Sequence, residues 1–295
     1  MVIRTASADS ADPADSADPA SQDPHWRAVF EDDFRDGLQV RAGRWRLRPA
    51  GAGLEAGDGY AAAGPDGLVV LPRHTDPETG EPAFTPTAAP LGEFDHIRWG
   101  AFADLPVDAT GLLEVSARVS ARGHNLDRHP YGPAVPDPHR ELKCGAAALI
   151  CVDRDTGIVL DFILTDRCLF AVYERLGHPG ADYAAFSYAV PVTDREPGDE
   201  HDLTIRYDGA AGAAAWIADG RAVLSADRIG HRVLDARHAK RDNGGPERAV
   251  TPKQFSCGLG LFTDQVWGQG VQLTARHFTI RTAVDHREDS HRGVH

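Results

Sequence analysis

The stretch from Ala146 to Leu176 restricts the fold more than any other, because it consists of three short apolar runs joined by turn signals. The runs are AAALICV, IVLDFILT and CLFAVYERL, separated by Asp153 to Gly157 and by Asp166-Arg167. Runs of this length, rich in β-branched and aromatic residues, read as strands. If Asp166-Arg167 is a two-residue hairpin, Thr165 pairs with Cys168 and the register follows by counting. Val159, Asp161, Ile163 and Thr165 then share a face with Cys168, Phe170, Val172 and Glu174. Ile158, Leu160, Phe162 and Leu164 share the other with Leu169, Ala171, Tyr173 and Arg175. The second face is the expected core. The first is apolar except for two carboxylates, and left open it would be an aggregation hazard. It reads better as the floor of a covered groove, with apolar walls and a few placed polar groups. Asp161 and Glu174 are the candidate acid–base residues of that groove, and Ile163 and Phe170 line it. The alternative is structural: Asp161 paired with a buried cation, because a mid-strand carboxylate is costly without a partner, and Glu174 as a rim charge.

The same period of two continues elsewhere. LLEVSARVS places Leu113, Val115, Ala117 and Val119 on one face, and HDLTIRYD places Leu203, Ile205 and Tyr207 inward. Asp219-Gly220, between AAAWIA and RAVLS, signals a hairpin. Trp26 to Phe34 and Arg44 to Leu47 open the region, while Phe255 to Thr263 and Val271 to Thr282 read as a closing pair. Helical periodicity is confined to a candidate short helix within Arg221 to Arg237. Proline falls between the runs, as ladder hydrogen bonding requires. These features predict an all-β, two-sheet antiparallel jelly-roll sandwich in one domain over residues 25–284. Residues 1–24 repeat Ser-Ala-Asp and Asp-Pro units with little to bury, so disorder is expected there and in the polar segment 285–295.

With 44 acidic and 31 basic side chains, the formal net charge is −13. That balance disfavours a nucleic-acid partner, which needs clustered Lys and Arg. No run approaches the roughly 18 apolar residues of a membrane-spanning helix. The N-terminus has no apolar core of a secretory signal, so the expected compartment is the cytoplasm. Cys144, Cys151, Cys168 and Cys257 show no metal-binding spacing and read as buried thiols. No nucleotide, redox or hydrolase motif is present, so no cofactor or metal is expected beyond a structural calcium at Asp32-Asp33.

The blocks VFEDDF, IVLDFILTD, HDLTIRYD, WIADGRAVL and VQLTARHFTI together resemble the concanavalin-A-like sandwich of legume-type lectins and family 16 glycoside hydrolases. More narrowly, FDHIRWGAFAD, LFAVYERL and YAAFSYAVPV resemble an uncharacterised bacterial family with this sandwich. Family 16 hydrolases carry Glu-x-Asp-x-Glu on one strand. The matching positions here are Val159, Asp161 and Ile163, so the resemblance carries over only the middle Asp, as helper. The sequence expectation is therefore a cofactor-independent enzyme, of cyclase, isomerase or hydrolase type, acting on a small organic molecule in an apolar cleft. The alternatives are a carbohydrate-active or carbohydrate-binding protein, with a glycan stacking on Trp99 or Trp267, and a non-catalytic binding protein. Further candidate ligand contacts are His96 beside Trp99, His124 and Tyr131 in a long Pro/Gly-rich loop, and Tyr188 in an aromatic run.

Overall fold

The computed structural model describes residues 24–48, 57–86, 97–103, 106–178 and 180–283. The two expected terminal tails lie almost wholly outside these residues, and His96 lies outside them too. The described chain is all-β, with 3-10 turns but no α-helix.

Two antiparallel sheets face each other. The first runs in spatial order β17 (Ala239–Asp242), β13 (Phe186–Asp194), β12 (Cys168–Arg175), β11 (Ile158–Leu164), β10 (Ala146–Asp153), β18 (Gln254–Phe262), β7 (Ile97–Ala103) and β2 (Trp45–Leu47). A short β8 (Val107–Asp108) pairs beside β18. The second sheet runs β16 (Arg221–Ala226), β15 (Ala213–Ala218), β14 (His201–Asp208), β9 (Leu112–His124), β19 (Gly270–Ala283), β4 (Gly67–Pro72) and β3 (Gly59–Gly64). In it, β1 (Arg27–Asp32) also pairs with β19, and a two-stranded ribbon, β5 (His74–Thr75) with β6 (Pro82–Ala83), stands apart. The supposed closing pair is thus divided, with β18 in one sheet and β19 in the other.

Local chemistry explains the joints. Asp153 ends β10 by accepting the Asp155 N–H at 3.0 Å and the Thr156 hydroxyl at 2.8 Å, and Gly157 supplies a φ of 74°. Asp219 and Gly220, at φ 51° and 76°, close the β15–β16 hairpin in the primed turn that matches strand twist. The same turn explains why no helix follows: Arg221 is drawn into β16, and only a 3-10 turn at Ala236–His238 remains.

The core lies between the sheets. Leu113, Val115, Ala117, Val119, Leu203, Ile205 and Tyr207 of the second sheet meet Ile158, Leu160, Phe162, Leu169, Ala171 and Tyr173 of the first. Trp216 crosses this core, its indole N–H donating at 2.9 Å to the backbone oxygen of Asp161. Those two residues therefore tie β15 to β11 through a directed bond as well as packing.

The segment between β9 and β10 folds over one end of the first sheet. Leu142 packs against the cluster of Cys168, Phe170, Val172 and Ala189, and His139 is held between two carboxylates. His139 Nδ1 is 2.8 Å from Asp166, and Nε2 is 3.3 Å from Asp127. Burial pulls the imidazole pKa down, but bonding to Asp166 and Asp127 overcomes it, and the net shift from 6.5 is upward. A raised folded-state pKa gives a stabilisation that is complete below about pH 6.5 and fades as pH climbs through the folded value. His139→Gln is expected to lose most stability, relative to the parent, near pH 6, with the gap narrowing towards pH 9. Urea titrations at the two pH values check this, and a pH-independent gap would exclude the charged bridge.

Candidate functional site

The register of β11 and β12 matches the counting argument: Leu164 faces Leu169, Asp161 faces Val172, and Val159 faces Glu174. Asp161, Ile163, Phe170 and Glu174 accordingly share the outer face of the first sheet, turned away from the core. Extending the register across strands gives a row of Ser256, Val152, Val159, Glu174, Ser187 and Arg241. A neighbouring row contains Phe102, Gly258 and Ile150, then Asp161, Val172 and Ala189. Apart from Ser256 and Asp161, polar character in these rows gathers at the β12–β17 side. Ile163 bridges two apolar clusters, one around Phe102, Ile150 and Phe262 and one around Phe170 and Val172. Val159, Phe170 and Val172 are buried on this face, and none of them lines the cleft onto which Glu174 opens.

Asp161 is only 5% exposed. The β10–β11 ladder skips from the Leu149–Phe162 pair to the Val152–Val159 pair. At that break the Asp161 carboxyl accepts the Cys151 N–H at 3.0 Å. The expected alternative, a buried cation partner, is replaced by a backbone donor. Burial pushes the Asp161 pKa well above its usual range, opposed by the Cys151 bond and assisted by the Glu174 charge. Asp161 therefore holds its proton more tightly than an exposed aspartate does.

Glu174 is half-buried and accepts a hydrogen bond from the Ser187 hydroxyl. It opens onto a cleft of about 570 Å³, which Ser187, His178, Lys240 and Arg241 also line. The Asp161 carboxyl is bonded to a donor on β10 and the Glu174 carboxyl to one on β13. Diagonal neighbours on adjacent strands are about 7–8 Å apart between Cα atoms.

The other expected contacts fall elsewhere. Trp99 faces the core, with Ala101 and Ala103, because a bulge at Arg98 sets the phase of β7. Its indole occupies the space beside Gly59, where a Cβ would meet the ring at 2.6 Å. Tyr188 also faces the core, opposite Tyr173 and edge-on to Phe186 at 5.6 Å. His124 is the last residue of β9, in the other sheet, 2.8 Å from Glu81. Tyr131 packs edge-on against Trp267 at 5.3 Å, with the Lys143 ammonium 4.3 Å from its ring centre. Neither His124 nor Tyr131 belongs to the sheet floor.

Asp32 uses both oxygens within the chain, for the Phe34 N–H at 2.7 Å and the Trp45 indole N–H at 2.7 Å. Asp33 faces Arg35 at 3.4 Å. The four cysteines are buried free thiols, and burial pushes the Cys144 pKa up to about 11. Among the described residues no helix is long and apolar enough to cross a membrane.

A family of unknown function, DUF6081, matches residues 31–284. The chain belongs to that family. This DUF6081 member is 25% identical over 188 residues to an uncharacterised protein of Acanthamoeba polyphaga mimivirus, covering 44% of this chain. It spans only 43% of that relative's length. Among solved structures it is similar to a non-specific endo-β-1,3(4)-glucanase of glycoside hydrolase family 16, at 14% identity and a TM-score of 0.51. That match covers 88% of this chain and 91% of the glucanase. An alginate lyase of polysaccharide lyase family 7 matches at 12% identity and a TM-score of 0.48, over 83% of this chain and 97% of the lyase. The likeness to the glucanase shows that the DUF6081 member has the concanavalin-A-like jelly-roll fold.

Proposed function

We propose that the outer face of the first sheet is a carbohydrate-handling surface, with Asp161 as proton donor and Glu174 as proton acceptor. The observation that carries this is the unequal pair: Asp161 is buried with its pKa raised, and Glu174 opens onto the cleft. Carboxyls in unlike surroundings can divide acid and base roles. The sandwich shared with a family 16 glucanase supports a glycan as the bound molecule. The double-displacement chemistry of retaining glycosidases is not favoured, because Val159 and Ile163 flank Asp161 and a pair about 5 Å apart is required. Carboxyls on diagonal neighbours suit single displacement, in which water sits between acid and base about 6.5–9.5 Å apart. The glycosidic bond then breaks as the Asp161 proton passes to the leaving oxygen. Water attacks the anomeric carbon and gives its proton to Glu174, so the product is inverted.

A second reading keeps the same pair but makes the substrate a small apolar molecule. It is favoured by the floor of Val159, Ile163, Phe170 and Val172. One experiment separates the two. Soluble glucans, oligouronates and aryl glycosides are screened against an apolar compound set, by thermal shift and by NMR of the products. Saccharide turnover with inversion is expected, and Asp161→Asn or Glu174→Gln is expected to reduce it at least about 100-fold while the protein stays folded. Stabilisation by apolar compounds alone would transfer the assignment to the second reading.

A further inference from the structure

All four cysteines are free, and two of them face each other across a strand pair. Cys151 of β10 lies directly opposite Cys257 of β18, and their sulfurs are 3.7 Å apart. Both side chains are fully buried in the core between the sheets. The backbone adds an independent constraint. In an antiparallel ladder a residue turns its N–H and C=O to the same neighbouring strand. The Cys151 N–H points to β11, where Asp161 accepts it at 3.0 Å. Towards β18, Cys151 and Cys257 are therefore a non-hydrogen-bonded pair, the kind whose Cα atoms stand about 4.5 Å apart with side chains closest. That separation lies inside the range of about 4.4–6.8 Å that a disulfide spans. Cys168 instead faces Asp194, and Cys144 lies in the 3-10 turn Leu142–Cys144.

We infer that Cys151 and Cys257 are a reversible dithiol–disulfide pair, which braces β10 to β18 when a low-molecular-weight disulfide oxidises it. Rotation of the two side chains brings the sulfurs to the bonding distance of about 2.0 Å without a change of register. Exchange needs an ionised thiol, and burial, aided by the Cys257 contact, pushes the Cys151 pKa well above 9.0. Reaction therefore waits on a transient opening of β18 from β10. In the open state one cysteine thiolate attacks the small disulfide, bonds to one of its sulfurs and expels the other as a thiolate. The second cysteine then attacks the mixed disulfide, so that the Cys151–Cys257 bond forms and the second small thiol leaves. The protons of the two cysteines pass to the two released thiols. Two protein thiols are oxidised and one small disulfide is reduced. The closed bond spans 106 positions of chain, and a cross-link around so long a loop restricts the unfolded state strongly. It also ties down the strand whose N–H holds Asp161.

The full chain is incubated with oxidised glutathione at mildly alkaline pH, with and without urea below the unfolding transition, then mapped as peptides without reduction. The Cys151 peptide is expected joined to the Cys257 peptide, with an intact mass lower by two hydrogens. Urea is expected to speed the linkage, and dithiothreitol to reverse it. The oxidised chain is expected to melt at a higher temperature than the reduced one. Cys257→Ala should show neither the linkage nor the shift, whereas Cys144→Ala/Cys168→Ala should keep both. Free thiols at Cys151 and Cys257 after incubation in urea, or a reaction halted at the glutathione adduct, would overturn the inference. So would a bond to Cys144 or Cys168, or a linked chain that melts no higher or resists reduction. The peptide map is read on the parent chain, so the outcome does not depend on any variant folding.

Discussion

Asp58→Ala is expected to remove about 3–5 kcal/mol of folding stability, the range for leaving a buried charge without its partner. Asp58 and Arg98 are both fully buried, with a carboxyl oxygen 2.7 Å from the guanidinium Nη2. The carboxyl also accepts the Thr85 N–H at 2.6 Å and the Thr85 hydroxyl at 2.7 Å. Arg98 Nη2 donates to the Thr85 carbonyl at 2.8 Å, while its Nε and Nη1 have no hydrogen-bond partner among the described residues. With Asp58 gone, a guanidinium already short of acceptors would remain in a site closed to water. Since Arg98 forms the bulge that turns Trp99 inward, the loss should extend to the packing of β7. The urea midpoint is the measurement, with Asp58→Ala/Arg98→Met as the control. Replacing both charges by apolar groups of similar size is often neutral, so the double variant is expected to recover most of the loss. A double variant no better than the single would place the cost in the Thr85 bonds rather than in the ion pair.

Arg98 also shows what the sequence leaves unsaid. Alternation was readable in β11 and β12 because the strands are short, both faces are covered and a two-residue turn fixes the register. With those conditions met, the shared face of Asp161, Ile163, Phe170 and Glu174 followed from counting. Trp99 lies one residue beyond a bulge, and a one-residue slip inverts every side chain after it. Counting through FDHIRWGAF could not detect that slip. The long Pro/Gly-rich segment reads as a loop that includes His124, yet β9 continues to His124, held by pairing with β19 as far as Gly270. Lys240 and Arg241 belong to a four-residue edge strand whose pairing is irregular and whose composition is polar, so no period marks it. The Asp161–Cys151 bond depends on a ladder break that neither strand encodes alone. Apart from that last bond, between consecutive strands, each of these features is set by a neighbouring strand that is distant in sequence.

Asp161→Asn is expected to stabilise the protein at neutral and alkaline pH and to abolish the proposed turnover. The folded-state pKa of Asp161 is raised above its usual value of 3.8, chiefly by burial. Below that usual value, the folded and unfolded chains both carry the proton and the group costs nothing. As pH rises, the unfolded chain ionises first, and the parent loses up to about 1.4 kcal/mol per pH unit until the folded value is passed. Asparagine does not titrate, so the variant should match the parent near pH 4 and gain on it steadily above. Its side-chain oxygen can still accept the Cys151 N–H, so the ladder break stays filled. Asp161→Leu has no such oxygen, and the stranded N–H should cost about 1–3 kcal/mol at every pH. Urea midpoints of parent, Asn and Leu proteins at pH 4, 6 and 8 separate the two effects. An Asn variant that tracks the parent at all three values would mean that Asp161 is ionised in the folded state, and it would no longer qualify as a proton donor. A carboxyl whose removal strengthens the fold is one kept at the expense of stability, as functional groups commonly are. Stabilisation by Asn together with loss of turnover would therefore mark Asp161 as a reacting group and not a framework residue.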